Sequence, residues 1–345
     1  MQKLLKIIFL SLIIVSCENH NTKNNEKKIS LKEFPVPETN IRALDVIDTS
    51  KVWYAGSNEK FGFIKDNFNL SLELDSIPRG EEKYHFRGIK KNGDDLFLLS
   101  IEKPAGIIKF NQGTKFVYRD SLNTAFYDAI NFWNNKEGLV MGDPQNNCLT
   151  ILKTVDGGNS WNKIACENIP PMEEGEAAFA ASNSNIVLKN NTAWIVTGGK
   201  KSRVLKSTDK GETWTSFDTP IVQGKETTGI YTADFYDENV GIVMGGDYTD
   251  KPNKKANKAI TKDGGKTWQL VANDKLPGYI SSVKFVPNSK GQEIVAVSTE
   301  GIYYTKNQGA DWQKVSDQGY FSVQFADSKI AWLGGVNKIA KLTLN

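Results

Sequence analysis

Histidine and cysteine are scarce in this 345-residue chain, with two of the first, His20 and His85, and three of the second. No His/Cys cluster with metal-ligand spacing can be drawn from so few, which excludes a zinc site built from them. No G-x-G-x-x-G stands between a strand and a helix, and no βαβ unit is visible, so a nicotinamide or flavin enzyme would lack its nucleotide site. Neither a metal nor a cofactor is expected. Arginine occurs only as Arg42, Arg79, Arg87, Arg119 and Arg203, and the formal net charge is +3. Setting aside residues 1–16, which contain two lysines, Lys3 and Lys6, leaves +1. That is no basic footprint for nucleic acid. After residue 17 no apolar run is long enough to cross a bilayer as a helix. What is abundant is aromatic residues (10%), with eight tryptophans, and glycine, with 29.

The N-terminus reads as an address. Lys3 and Lys6 precede an apolar run from Ile7 to Val15 that is too short to span a membrane. The run ends at Ile14-Val15-Ser16-Cys17, which resembles the lipobox of bacterial lipoproteins. Residues 1–16 are therefore expected to be a signal peptide, with Cys17 as the lipidated residue. Residues 17–28 would then form a polar tether, Glu18 to Lys28 reaching at most roughly 40 Å. Glu18 stands where an aspartate commonly retains lipoproteins at the inner membrane, so the expectation is an outer-membrane anchor facing the periplasm. Membrane contact would be through the lipid alone. Residues 29–345 are expected to form one domain.

That domain repeats itself. TVDGGNSW (Thr154 to Trp161) recurs as STDKGETW (Ser207 to Trp214) and TKDGGKTW (Thr261 to Trp268), with looser copies at Asn111 and Asn307. Aligned on the acid or amide, the copies lie 45, 53, 54 and 44 residues apart. This period suits one four-stranded propeller blade per repeat. Each repeat holds an opening strand such as FRGIKK or FYDAINF and a second strand that often ends on glycine. A third strand leads into the turn and a fourth leaves it. Seven opening strands begin near Ile41, Tyr84, Phe126, Ala177, Gly229, Tyr279 and Phe321. The fold class expected is all-β: a seven-bladed β-propeller of four-stranded antiparallel blades. Ile29–Pro35 would supply the strand missing from the C-terminal blade and close the ring. Cys148 and Cys166 flank TVDGGNSW symmetrically about residue 157, so they either face one another as a disulfide across two strands or remain two buried thiols.

The turns resemble the Asp-box, S-x-D-x-G-x-T-W, of the sialidase/BNR-repeat propellers. The chain looks most like the bacterial branch related to the photosystem II stability/assembly factor family. The phrases carrying that resemblance are FYDAINFWNNKEGLVMGDP, EAAFAASNSNIVLKNNTAWIVTGG and GGDYT. The resemblance implies a scaffold role; members are often labelled oxidoreductase, a label with no support in the residues. The box residues read as structural: Asp156, Asp209, Asp263 and Asn307 to gather turn donors, Gly158, Gly211, Gly265 and Gly309 for φ > 0, and Trp161, Trp214, Trp268 and Trp312 to bury area.

Chemistry is expected at the opposite rim, where loops stop repeating. Candidate ligand-binding residues there are Arg87, Asp128, Asp143, Glu176, Arg203, Asp247 and Tyr248. Arg87 and Asp128 follow an aromatic at the start of adjacent opening strands, so they form an ion pair lining the axis or meet a ligand. Asp143 and Asp247 follow second strands and either cap the turn or contact a ligand. The basic stretch Lys251–Lys258 reads as a solvated excursion. No catalytic set is identified. A sialidase would need an arginine cluster and an Arg-Ile-Pro opening, and IPRG at Ile77–Gly80 is not one. The expected function is a lipid-anchored binding or assembly module for a protein or extracellular ligand. A glycan-binding or glycoside-hydrolase propeller is the alternative.

Overall fold

The computed structural model describes residues 28–74, 84–101, 105–120, 122 and 124–345. The expected leader, the expected lipidation site Cys17, nearly all of the expected tether, and Arg79 lie outside the described residues. The described residues are almost entirely strand and turn, with a single 3-10 turn at Cys166–Asn168. Among them no helix is long and apolar enough to cross a membrane.

The strands form antiparallel four-stranded units in chain order. Phe86–Asn92, Asp95–Ser100, Gly106–Phe110 and Thr114–Arg119 make one such sheet, and the third and sixth repeats make others. Ile29–Val46 belongs to two units. Its first half pairs with Val336–Leu344, from Ile29↔Leu344 to Pro35↔Lys338, and its second half pairs with Lys51–Gly56. The register breaks between Pro35 and Asn40, where Pro37, lacking an N–H, suits the change of partner. One opening strand departs from expectation. The fourth starts at Ile186, and Ala178–Asn185 before it is irregular. Those eight residues are alanine, serine, asparagine and a single phenylalanine, poor strand formers with short polar side chains that favour local hydrogen bonds.

Apolar side chains line both faces of these sheets, and the buried clusters join successive units. Phe97, Leu99 and Ile107 of the second unit meet Tyr127, Val140 and Leu152 of the third. Met141 and Ile151 of the third meet Ile195 and Leu205 of the fourth. The last unit meets the first through Trp332 and Ile339 against Ile41, Val52 and Tyr54. Polar clamps between opening strands supplement the packing. Asp45 accepts from Lys90 Nζ and Lys91 N, both at 2.7 Å, and Asp234 accepts from Lys284 Nζ at 3.0 Å and Phe285 N at 2.8 Å.

The Asp-box turns close the third and fourth strands, next to the turns between first and second strands; Gly157 N donates to Lys136 O at 2.8 Å. In the third unit Asp156 accepts from Thr154 Oγ1, Ser160 N and Ser160 Oγ at 2.6–3.0 Å, and Trp161 Nε1 donates to Gly158 O. Gly158 has φ +89°, and a Cβ there would stand 2.5 Å from the Phe97 ring. The same bonds recur around Asp209 and Asp263; Asn307 keeps two of them, from Thr305 Oγ1 and Asp311 N, and its Nδ2 donates to Asp311 Oδ2 where the others accept from a hydroxyl. Cys148 and Cys166 are bonded, with Cα atoms 5.8 Å apart. The link runs from a strand to the 3-10 turn rather than across two strands, because the fourth strand here is only Asn162–Lys163.

Lys258 corrects the reading of Lys251–Lys258 as solvated throughout. It is fully buried, and its Nζ donates to Asn257 Oδ1, Lys275 O and Pro277 O at 2.7–3.1 Å. It thereby ties the loop ahead of the sixth unit to its neighbour.

Two pH responses follow. Slight burial opposes ionisation of Asp156, Asp209 and Asp263, but the hydroxyl and amide donors outweigh it and hold each pKa at about 2. Their stabilisation is complete above the unfolded carboxylate pKa of about 4 and is lost as pH falls through about 2. Asp209→Asn, the amide already used at Asn307, should lower Tm at pH 6 and cease to differ from wild type near the acid end of a Tm series. Burial lowers the Lys258 pKa to about 8. The unfolded chain then binds the extra proton between about pH 8 and pH 10.4, so this group makes stability rise with pH across that window. Denaturant titrations of Lys258→Met should show a smaller upward slope there than wild type.

Candidate functional site

The end of the molecule opposite the boxes carries a cavity of about 680 Å³, within the range of ligand pockets. A repeated β-bulge builds it. In four opening strands the pairing skips one residue near the start: Arg42 between Ile41 and Ala43, Arg87 between Phe86 and Gly88, Asp128 between Tyr127 and Ala129, and Tyr231 between Ile230 and Thr232. A bulge re-aims the extra side chain, and Arg42, Arg87 and Tyr231 all line the cavity. The glycines ending the second strands belong to the same device. At Gly142 and Gly245 a Cβ would lie 2.2 Å and 1.9 Å from the carbonyl oxygens of Phe126 and Gly229.

The floor is the irregular segment Ala178–Asn185. Ala178, Phe179, Ala180 and Ala181 line the cavity, and the segment is bonded to units all round it. Ala178 N donates to Asp143 Oδ1, Ser182 Oγ to Ser281 O, and Ile130 N to Asn183 Oδ1. Ser184 Oγ lies 2.7 Å from Thr232 Oγ1. The walls are aromatic. Tyr231 stacks on Phe179 at 4.0 Å and meets Tyr279 and Tyr248 edge-on at 4.9 and 6.3 Å. Its hydroxyl donates to Thr227 O at 2.8 Å, and burial, then the neighbouring Tyr279, pushes its pKa far up. Tyr279 is raised by the same burial despite Arg42 beside it.

Arg42 spans the cavity. Its guanidinium lies 4.0 Å over the Phe321 ring, Nη1 donates to Ala181 O at 3.1 Å, and the buried Nε has no hydrogen-bond partner. Burial lowers its pKa, with Tyr279 opposing. Lys251 sits at the rim, 3.0 Å from Thr299 Oγ1 and 3.6 Å from Glu300. Asp143 is the cavity's one carboxylate among the described residues; burial raises its pKa although Ala178 N–H opposes this.

The sequence-derived candidates divide. Arg87, Asp143 and Tyr248 line the cavity. Asp128 shares the bulge position but is fully buried behind the lining, and neither of its carboxyl oxygens has a hydrogen-bond partner. The expected Arg87–Asp128 ion pair is therefore not made at contact distance; the two influence each other only through the field. Asp247 lines a separate cleft of about 100 Å³ and caps its own turn, accepting from Thr249 N and Oγ1 at 2.9 and 2.6 Å. Burial opposes its ionisation, yet these bonds keep its pKa low. Glu176 and Arg203 are a correction. They form a buried pair, Nη2–Oε2 2.6 Å and Nε–Oε1 3.0 Å, completed by Thr197, Pro171 O and Ser216. Their charges face each other and not the cavity. Sequence reasoning placed them by loop position, and loop position does not say which way a side chain turns. Phe126, Phe179 and Phe321 were missed, and Arg42 was not among the candidates. The available signal was register: I-R-A at Ile41–Ala43 matches F-R-G at Phe86–Gly88.

Among the described residues no three His, Cys, Asp or Glu side chains converge as metal ligands. Removing Arg203 would leave Glu176 buried and unpaired, so Arg203→Ala should cost about 3–5 kcal/mol in a denaturant titration.

Comparison with known proteins adds the following. Residues 115–235 match the family model described as photosynthesis system II assembly factor YCF48. No curated protein matches the chain. Solved structures similar to it include YCF48 bound to D1 peptide, at 12% identity and TM-score 0.66, covering 91% of this chain and 96% of that one. YCF48 from Cyanidioschyzon merolae is similar at 14% identity and TM-score 0.67, covering 91% and 98%. A catalytically inactive virginiamycin B lyase from Staphylococcus aureus, solved with quinupristin, is similar at 15% identity and TM-score 0.63, covering 92% and 100%. At such identities the likeness is one of fold, and a fold hosts many functions. With its Asp-box turns, its four-stranded sheets and the match over residues 115–235, the chain is a BNR-type β-propeller that resembles the photosystem II assembly factor family.

Proposed function

We propose that this protein is a binding and assembly module that docks an anionic segment of a partner protein in the Arg42 cavity. The observation that carries this reading is Arg42 itself: a half-buried guanidinium over Phe321, with an unpartnered Nε–H. Its Nη1 meets only a neutral acceptor, the carbonyl of Ala181. Desolvating a cation is costly unless an acceptor or counter-charge meets it, and a carboxylate from a ligand supplies both. The aromatic walls offer apolar area to the same segment, and a preformed cavity lowers the ordering cost of binding. That one similar structure, YCF48, was solved with a peptide bound supports a protein partner.

The setting is part of the proposal. Seven four-stranded blades close into a ring, a reading supported by buried clusters between successive units and by packing of the last unit on the first. The pairing of Ile29–Pro35 with the C-terminal strand fastens it. Residues 29–345 form the one domain. Residues 1–16 are a secretion signal, Cys17 carries the lipid, and the tether holds the propeller on the periplasmic side of an outer membrane, as Ile14-Val15-Ser16-Cys17 and Glu18 suggest.

The test is selection from a random heptapeptide library. Wild type should enrich Asp or Glu together with an apolar residue, and Arg42→Gln should bind the selected peptides at least about tenfold more weakly, the loss of one charged hydrogen bond. Enrichment without acidic residues, or equal binding by the variant at unchanged Tm, would refute the docking mode. Turnover of fluorogenic glycosides by the purified domain would replace it with the glycosidase alternative.

A further inference from the structure

Two charged side chains of the cavity wall stand without a counter-charge among the described residues, and their signs are opposite. One is Arg42, on the opening strand of the first unit. The other is Asp143, near the end of Gly138–Gln145 in the third unit. Asp143 is half-buried, and one of its oxygens accepts from Ala178 N–H at 3.0 Å. Among the described residues no lysine, arginine or histidine pairs with it. The other cations of the lining are engaged elsewhere: Lys251 is held at the rim by Thr299 and Glu300, and Arg87 has a partner of its own. A half-buried carboxylate without a cation carries a desolvation cost that a cation from a ligand would offset. The same burial holds its carboxyl above the ordinary range, with the Ala178 amide opposing.

The two charges are fixed to one piece of backbone. Asp143 holds the N–H of Ala178, and Arg42 holds the carbonyl of Ala181 at 3.1 Å. These are the two ends of the four-residue floor. Four residues of extended chain reach at most roughly 14 Å, so a short peptide lying over the floor can meet both charges.

We propose that the segment docked in this cavity is dipolar: its acidic residue meets Arg42, and a lysine or arginine of the same segment meets Asp143. The inference rests on the docking mode proposed above and adds a second determinant to it, a cation subsite. The site then selects a pairing of charges and not negative charge alone. It also fixes the direction of the segment, with the basic residue at the Ala178 end of the floor and the acidic one at the Ala181 end. A segment laid the other way would set like charges together, which is costly in a partly desolvated site.

The test is the heptapeptide selection carried out on wild type and on Asp143→Asn, whose amide keeps an oxygen for Ala178 N–H and whose Tm checks the fold. Wild type should enrich peptides in which an acidic and a basic residue occur together in one order. Asp143→Asn should keep the acidic preference and lose the basic one. In a selected peptide, norleucine in place of the basic residue keeps the alkyl stem and removes the charge. That change should weaken binding to wild type at least about tenfold, the loss of one charged hydrogen bond, and binding to Asp143→Asn by less than about twofold. Acidic enrichment without a basic partner, the absence of a norleucine penalty in wild type, or an equal penalty in the variant would overturn the cation subsite and leave the docking mode standing. Absence of acidic enrichment on wild type would instead refute the docking mode itself.

Discussion

A four-stranded sheet with apolar side chains on both faces is not stable alone in water, and that constraint governs this molecule. Each unit here buries one face on the preceding unit and the other on the following one, as Met141 and Val140 of a single strand do in two different clusters. Stacking of this kind buries tens of side chains at roughly 1.5–3 kcal/mol each before entropy is subtracted. The sharing of Ile29–Val46 between the first and last units gives Lys51–Gly56 and Val336–Leu344 each a partner along an edge that would otherwise stand open.

Once the units stack, their opening strands converge, and the site is a consequence. A regular strand would send alternate side chains into the two inter-unit cores. The bulge breaks that alternation for one residue and turns its side chain out of them, and the facing glycine makes room for the displaced backbone. Fold and site are thus linked by one local irregularity, repeated. Polar residues gathered this way are enclosed by packing they did not create, which is why Arg42 lacks one partner and Asp128 both. The Glu176–Arg203 pair shows the other outcome. Buried charges that find each other serve the connector between units and are lost to ligands.

The boxes and their period were legible because a turn is local. Asp156, Gly158 and Trp161 lie within six residues, and their bonds need nothing from elsewhere beyond a surface for the indole. The glycine at the end of second strands was visible too, but its reason was not, since the bulge it accommodates lies on another strand. Ala178–Asn185 read as the start of an opening strand. Its true course, folded beneath the cavity as a floor, depends on Ile130, Thr232 and Ser281, about 50 to 100 residues away from the groups they meet.

By itself the sequence determined the class of fold, the repeat and the place of its turns, because hydrophobic period and turn chemistry act over a few residues. Only the tertiary structure decided which charges meet one another and which meet the cavity. Arg87 and Arg203 look equivalent as residues at the heads of strands. One lines the cavity from a bulge and the other is sealed against Glu176. The physical reason is that burial and side-chain direction are set by the neighbouring unit, and the neighbour is a property of how the units stack rather than of the local chain.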